Sequence, residues 1–549
     1  MSLDQRRQEL MTLAKEFFPF PTANPGQLET CVEAVRLFES GVKHVVVQAP
    51  TGIGKSVIAT TVHRMMRRLK SGHRTTIITA TRGLQDQYSE DDKLIHDLKG
   101  KTNYSCPIQR GPYNSGSCRS AVKQGRCRKN IQCPYVIARR KWCDIAELRS
   151  TNNSFQIEAC PSICMEEKNR ANLIIADECH ELDDHIINHT TIKFKSSDYT
   201  DVGELGYGVV MDDIKALVKL FEVYPTGVPF KLELAQYEAM QKLSNTVKMV
   251  LANLEEDFED EGRTDHDYLG TCIENLQQIN DKAAIFDDIN DGDVCSTEWI
   301  VYEIEAGEMV SLKSVYAKQV ANYALFRKAD FFLHLSATIC GFGSYAETLG
   351  LKPNEWTFFD LENPIPVAQR KVYALQLHKM NASFSDFDKL VIDVDKIINM
   401  HKEVNGIIHT VSFKLAQDIF ARSAFKDRML VSGDRAEIMA WLGGKQGRVV
   451  LSPSIEKGYD FKNDLSRFQI IAKVPYLYLG DPFVKMNVEM NQTWYSRKAI
   501  LRIVQSCGRS IRGVTDHAKT YILDSNFKRL LEDNRELFPK WFLDSIVIR

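Results

Sequence analysis

The sequence lacks the features that would place a chain in or across a membrane. Of its 549 residues, 44% are hydrophobic, but apolar runs such as 45–47 and 173–176 are only as long as a strand, whereas a membrane span needs roughly 20 residues. The N-terminal segment MSLDQRRQEL is charged and has neither the apolar stretch nor the cleavage site of a secretory signal. We therefore expect a cytoplasmic protein that does not associate with membranes.

The sequence also has almost no net charge, but its charges are unevenly distributed. Lys and Arg total 70 against 72 Asp and Glu, so the net charge of −2 gives no indication of a nucleic-acid partner. Residues 98–142 nevertheless hold 11 Lys or Arg and no acid, while residues 255–268 hold eight acids and one Arg. The basic run predicts a surface for phosphates, and the acidic run is most simply a solvated face.

Cysteine is abundant in the sequence, but it has no pair of cysteines with two residues between them, which is the spacing of zinc ribbons. Seven of the 13 cysteines lie between positions 106 and 164, and such clustering in an intracellular protein indicates metal ligation. The first four are separated by 11, 8 and 5 residues, unlike the paired spacing of zinc ribbons. Irregularly spaced thiolates can still ligate an iron–sulfur cluster, so both metals remain open on spacing alone. These four are Cys106, Cys118, Cys127 and Cys133.

Two regions alternate short β-rich runs with amphipathic helical stretches, a pattern typical of a parallel sheet covered by helices. The second region has strands near 406–410, 448–452, 468–472 and 520–523. A cysteine-rich segment and a mostly helical segment, with helices near 211–224 and 232–254, interrupt the first. The predicted divisions are 1–97, 166–194 and 326–352 for the first domain, 98–165 for the cysteine-rich domain, 195–325 for the helical insertion and 353–549 for the second domain.

A phosphate-binding loop is the clearest motif in the sequence. The strand-like run VVVQ leads into APTGIGKS at 49–56, and a helical stretch follows. In this context Gly52 and Gly54 let backbone N–H groups close on phosphates, and the helix N-terminus adds positive potential. Lys55 reaches the β and γ phosphates and Ser56 can ligate Mg²⁺.

Two adjacent acids follow another strand-like run. LIIA at 173–176 ends in Asp177 and Glu178, at the strand end where ligands of parallel sheets bind. Hydrolysis of a nucleoside triphosphate needs one carboxylate for Mg²⁺ and another to orient or deprotonate the attacking water. We assign Asp177 to the first role and Glu178 to the second.

A third motif, QSCGRSIRG at 505–513, lies near the C-terminus. Gln505, Arg509 and Arg512 are spaced by four and three residues, which places them on one face of a helix. A guanidinium beside the γ phosphate stabilises the charge that develops during transfer. An isolated pair of arginines with this spacing more often lies on a surface.

The order of these motifs resembles superfamily 2 helicases, and the details resemble the XPD/DinG branch. The match extends over nearly the whole chain and implies two recA-like parallel-sheet motor domains with ATP between them, the first carrying a cysteine-rich cluster insertion and a mostly helical, arch-like insertion. Further segments that resemble family motifs are 24–27, 79–87, 335–339, 406–414, 455–461 and 539–541.

The resemblance also implies roles for particular residues. Gln27 would recognise adenine and Asp460 would contact the nucleotide. A [4Fe–4S] cluster would be held by Cys106, Cys118, Cys127 and Cys133, with Cys143, Cys160 and Cys164 as rivals for one position and zinc as the alternative metal. Two departures are Asn526, where the family usually has arginine, and Cys179, where alanine is commoner.

The implied function is an ATP-dependent DNA helicase that moves 5′ to 3′ on single-stranded DNA as a monomer and unwinds forked duplexes or R-loops. The basic segment 98–142 contains Tyr104, Tyr113, Tyr135 and Trp142, and such aromatic rings among cations can stack on bases. Two alternatives remain: a nucleotide-switched adaptor that binds nucleic acid, and a translocase that strips proteins from DNA without extended unwinding.

Overall fold

A computed structural model of the protein describes most of the chain. The described residues are 2–108, 111–112, 115–127, 133–159, 170–259, 265–289, 297–381, 384–453, 461, 463–511, 513 and 515–548. Within them, none of the helices combines the length and the apolar character that a bilayer crossing requires.

The first domain is built on a seven-stranded sheet in which every pair is parallel. The strand His44–Gln48 is fully buried; Val45 and Val47 pack into one core and Val46 into another on the opposite face. Burial on both faces explains its continuous apolar run. In spatial order the strands are Trp356–Asp360, His44–Gln48, Ala329–Ser336, Ala171–Asp177, Thr75–Thr79, Leu148–Asn152 and His96–Asp97.

The second domain has another seven-stranded, fully parallel sheet. The four strands predicted from the sequence are confirmed and are neighbours in the middle of this sheet. Two parallel-sheet recA-like domains therefore form the body of the protein, as predicted. In spatial order the strands are Met429–Val431, Val449–Ser452, Gly406–His409, Phe468–Ile471, Lys519–Asp524, Val372–His378 and Ile546–Ile548.

Helices cover both sheets. Their bounds in the first domain are Leu3–Phe17, Gln27–Glu39, Lys55–Leu69, Arg82–Asp91, Leu182–His189, Ala317–Ala324 and Phe342–Leu349. In the second domain they are Phe387–Met400, Phe413–Arg422, Arg435–Gly444, Pro482–Met490, Gln492–Gly508, Asn526–Asp533 and Lys540–Leu543.

Two strands of the first sheet come from segments that the sequence had assigned elsewhere. Trp356–Asp360 pairs with His44–Gln48, so the first sheet extends beyond residue 352. Leu148–Asn152, inside the predicted cysteine-rich domain, pairs with Thr75–Thr79. The run WTFFD reads as a strand in either domain, and LRSTN is too polar to predict a buried strand, so only the pairing assigns them.

The insertion that follows Asp177 and Glu178 in the chain is helical where predicted, but it also contains a sheet. Its helices are Val209–Phe221, Leu234–Glu259 and His266–Ile289, and they share a separate apolar core with the sheet. The sheet is antiparallel, and its longest pair is a hairpin with a register shift between Val301 and Glu303. In spatial order its strands are Ile192–Lys195, Met309–Ser314, Glu298–Glu305 and Phe230–Lys231.

The insertion contacts both of its neighbours. Lys123 of the cysteine-rich segment donates a hydrogen bond from Nζ to the carbonyl of Phe258. On the other side, the Tyr302 hydroxyl donates to Asp481 Oδ2 at 2.9 Å, beside a small apolar cluster that includes Ile300 and Met486. The insertion therefore touches the second domain although it emerges from the first.

Candidate active site

The phosphate loop has the backbone that anion binding requires. It joins the strand His44–Gln48 to the helix Lys55–Leu69. Gly52 has φ 90° and Gly54 has φ 88°, values that residues with a Cβ seldom adopt. Because the helix begins at Lys55, its N-terminal end lies at the loop, which is an arrangement that binds phosphate.

Lys55 is the first residue of its helix, Glu178 directly follows the strand Ala171–Asp177, and the two side chains form an ion pair. Lys55 Nζ lies 3.0 Å from Glu178 Oε1. Burial alone would raise the pKa of Glu178, but the charge of Lys55 and the contact with His180 outweigh burial and hold this pKa well below its usual range. Glu178 is therefore a carboxylate at neutral pH, which is the form that a general base requires.

Asp177 is more deeply buried and is held from a different side. The Tyr88 hydroxyl donates to Asp177 Oδ2 at 3.1 Å, and the N–H of Glu178 donates to Oδ1 at 2.9 Å. Burial raises the pKa of Asp177, and Lys55 only partly offsets it. A divalent cation beside this carboxylate would favour its charged form, so its oxygen donors fit Mg²⁺.

His180 connects the acids of the first domain to the second domain. The amide nitrogen of Gln505 donates to His180 Nε2, so a neutral imidazole carries its proton on Nδ1. Nδ1 lies 2.7 Å from Ser336 Oγ and 3.3 Å from Glu178 Oε2. The structure thus joins Lys55, Glu178, His180 and Gln505 in one chain of contacts across the two domains.

The motif at 505–513 crosses the end of the helix Gln492–Gly508: Gln505 lies in the helix and Arg509 follows its last residue, so the predicted single helix does not extend over the whole motif. Arg509 caps this helix, and its carbonyl accepts a hydrogen bond from the N–H of Phe461 at 3.1 Å. A Cβ placed on Gly508 would lie 3.8 Å from Thr51 Oγ1, so this end of the helix faces the phosphate loop. Arg512 and Asp460, both predicted site residues, lie outside the described residues.

Gln27 supports the phosphate loop in this structure. Its side chain is 3% exposed, and Nε2 donates to the carbonyl of Ile53. The N–H of Asn24 donates to its Oε1 at 2.7 Å. Both ends of the amide are therefore engaged by protein, and adenine recognition by Gln27 stays a prediction.

Three residues of this site received no role from the sequence. Ser336 lies in the segment LSATI, and His180 lies two residues after Glu178, so their positions in recognisable motifs were available signals. Tyr88 had no such signal, because its contact with Asp177 depends on how the helix Arg82–Asp91 packs.

The four cysteines predicted to bind a cluster lie on different local elements. Cys106 ends the strand Ser105–Cys106, Cys118 lies in the helix Ser115–Lys123, and Cys133 directly precedes a helix. In the part of the chain that the structure describes, no three His, Cys, Asp or Glu side chains lie close enough together to hold a metal ion. The donor types fit an iron–sulfur cluster, but their arrangement does not confirm it.

Of the three cysteines named as rivals for one cluster position, the structure describes only Cys143. Cys143 is 7% exposed and burial raises the pKa of its thiol. Cys160 and Cys164 lie outside the described residues.

The prediction that Tyr135 and Trp142 stack on bases is wrong. Trp142 is 0% and Tyr135 is 7% exposed, because both belong to a small core with Leu98 and Phe155. The indole Nε1 donates to the Ser150 carbonyl at 3.1 Å. Tyr104 is partly buried, and Tyr113 lies outside the described residues.

Comparisons with known proteins agree with this architecture. Residues 402–545 match the family model of a helicase C-terminal domain, and residues 21–203 match that of the type III restriction enzyme res subunit. None of the curated proteins matches the sequence.

Solved XPD structures share the fold. Xpd4 of S. tokodaii has a TM-score of 0.59 at 14% identity, over 96% of this chain and 100% of that one. An XPD helicase has a TM-score of 0.59 at 15% identity, with the same coverage of both chains. An apo XPD structure has a TM-score of 0.56 at 14% identity, over 95% of this chain and 100% of that one.

Proposed function

We propose that this chain, an XPD/DinG-like helicase of superfamily 2 that hydrolyses ATP, moves 5′ to 3′ along single-stranded DNA and opens forked duplexes. The observation that carries the proposal is the chain of contacts from Lys55 through Glu178 and His180 to Gln505. It joins the hydrolytic carboxylate to both domains, so hydrolysis and relative movement of the domains are coupled at one point.

In the proposed reaction, ATP binds the phosphate loop and Lys55 leaves Glu178 for the β and γ phosphates. Glu178, ionised and relieved of its partner, then orients the attacking water and accepts its proton. Ser56 and Asp177 would hold Mg²⁺, which supplies positive charge to the phosphate oxygens. Arg509, and Arg512 beyond it, are the candidate guanidinium groups for the γ phosphate.

Single-stranded DNA is the proposed track because the charge distribution favours a polyanion. The acid-free segment 98–142 carries 11 cations, and phosphate neutralisation by Lys and Arg dominates nucleic-acid affinity. The polarity, the monomeric state and activity on R-loops rest on the resemblance to the family. Of the predicted divisions, we propose 98–165 without the strand Leu148–Asn152 as the cluster domain, and 195–325 without the helix Ala317–Ala324 as the arch-like insertion.

Tailed duplexes test the function directly. We expect ATP-dependent strand separation of a duplex with a 5′ single-stranded tail and none with a 3′ tail, measured by gel or fluorescence with the full chain. The Lys55→Ala variant is the control and should be inactive on both. Unwinding from the 3′ tail alone would contradict the polarity. Displacement of streptavidin from a biotinylated strand without unwinding would favour the translocase, and neither activity with nucleotide-dependent DNA binding would favour the adaptor.

We further propose that Cys106, Cys118, Cys127 and Cys133 hold a [4Fe–4S] cluster. Their concentration within 28 residues of a basic segment supports this, and such a cluster would cross-link a segment whose described residues form a small apolar core.

Metal analysis of anaerobically purified protein tests the cluster. We expect iron and acid-labile sulfide, with visible absorbance that disappears in Cys133→Ser. Cys31→Ser is the matched control, because Cys31 is 0% exposed within the core of the first domain, and it should keep the absorbance. Zinc without sulfide would replace the cluster with the alternative metal, and absence of both would refute metal binding.

A further inference from the structure

A cluster of buried charged side chains lies between the two domains, next to the hydrolytic site but outside it. Asp183 belongs to the helix Leu182–His189 of the first domain, and Arg497 and Lys498 belong to the helix Gln492–Gly508 of the second. They are 3%, 0% and 6% exposed, respectively. Nothing in the reaction described above uses these residues.

The contacts within this cluster cross from one domain to the other. Lys498 Nζ lies 2.9 Å from Asp183 Oδ2 and 2.8 Å from Asp184 Oδ1, and Arg497 Nη1 lies 4.0 Å from Asp183 Oδ2. Two cations thus face two carboxylates. Removing one partner of a buried pair is strongly unfavourable because it leaves an uncompensated charge.

Arg497 is also anchored to the segment that carries Ser336. Its Nε donates to the carbonyl of Cys340 at 3.0 Å, and its guanidinium lies 5.5 Å from the centre of the Tyr345 ring. Tyr345 in turn donates from its hydroxyl to the carbonyl of Cys179 at 3.3 Å. The cluster is therefore connected by protein contacts to the turn that holds the catalytic acids.

The buried charged cluster and the contact between His180 and Gln505 lie on the same side of the helix Gln492–Gly508. Lys498 and Gln505 are seven residues apart, so they lie along one face of the helix Gln492–Gly508 at 3.6 residues per turn, and Arg509 follows the last residue of this helix. On the opposing domain, Asp183 follows His180 by three residues. The pairs Asp183 with Lys498 and His180 with Gln505 therefore join the same two segments at two points. Two contacts along one helix fix the direction of its axis relative to the first domain.

We propose that Asp183, Arg497 and Lys498 are positioning residues for ATP hydrolysis, which hold the helix Gln492–Gly508 where Gln505 meets the first domain. This inference rests on the proposed function. An ionic contact suits a domain interface that separates in each cycle, because charges that part are solvated again, whereas an apolar interface would expose hydrophobic surface to water.

Replacing Asp183 by asparagine tests the inference. We expect the kcat of DNA-stimulated ATP hydrolysis to fall about tenfold, within the range of typical couplings between sites, with little change in ADP affinity, because the phosphate loop is intact. Asp184→Asn is the matched control: Asp184 contacts the same Lys498 nitrogen but is 47% exposed, and exposed ion pairs contribute little.

Lys498→Met and the double variant separate positioning from general stability. If the pair acts as a unit, Lys498→Met alone lowers kcat similarly, and Asp183→Asn combined with Lys498→Met lowers it no further. Unchanged kcat in both single variants would overturn the inference. So would a double variant whose loss of kcat is the product of the two single losses, or losses of kcat fully accounted for by a smaller folded fraction.

Wild type and Lys55→Ala are assayed in parallel. A wild type that does not hydrolyse ATP refutes the proposed function, whereas an active wild type matched by Asp183→Asn refutes only this inference.

Discussion

Replacing Glu178 by glutamine is expected to lower the kcat of ATP hydrolysis by about 10²- to 10⁴-fold, the range typical of general-base catalysis. The neutral amide cannot accept a proton from water, although it keeps the size of the side chain. ATP binding should persist, because the ion pair of Lys55 with Glu178 is lost and the lysine is freer to meet the phosphates. Steady-state hydrolysis with single-stranded DNA, together with binding of a non-hydrolysable ATP analogue, measures both quantities.

The chain offers a matched control for this variant. Lys43 Nζ and Glu355 Oε1 are also 3.0 Å apart, but their side chains are 53% and 28% exposed. Glu355→Gln removes the same kind of ion pair far from the site and should leave kcat unchanged. A Glu178→Gln enzyme with nearly normal turnover would show that another group acts as the base.

Replacing Trp142 by alanine is expected to destabilise the cysteine-rich segment by about 3 to 5 kcal/mol, as for other large buried aromatic side chains. The indole is fully buried, donates to the Ser150 carbonyl, and lies 4.2 Å from the Arg149 guanidinium. Hydrogen exchange of peptides within residues 133–155 measures the local free energy of unfolding, which suits a protein with several domains.

Trp142→Phe distinguishes packing from base stacking. Phenylalanine keeps a ring in the core but loses the hydrogen bond, so it should cost only about 1 kcal/mol. A base-stacking role would give the opposite pattern for Trp142→Ala: normal exchange protection and weaker single-stranded DNA binding, by about 1 to 3 kcal/mol. That pattern would contradict the burial seen in the structure.

Trp142 shows what a sequence pattern cannot decide. Aromatic residues among cations are compatible with a stacking surface, but they are equally compatible with a small core whose rim is basic. The second arrangement occurs here because Leu98 and Phe155 contribute to the same cluster. Exposure is a property of contacts between distant segments, and no spacing rule in residues 98–142 encodes it.

The phosphate loop and the two adjacent acids were predictable for the opposite reason. A phosphate loop needs glycines at fixed positions and a helix that starts at once, and both requirements are local in sequence. The two acids follow a buried strand, and strand ends in parallel sheets are where ligands bind. The four central strands of the second sheet were predicted from apolar runs bounded by polar residues.

The sequence by itself determined the two α/β domains, the phosphate loop with Lys55, and the acids Asp177 and Glu178, because each depends on a short run with its own backbone and burial requirements. Only the tertiary structure decided that Trp356–Asp360 joins the first sheet, that His180 meets Gln505, and that Asp183 is buried against Lys498. These contacts join residues far apart in the chain, and their geometry depends on how whole domains pack.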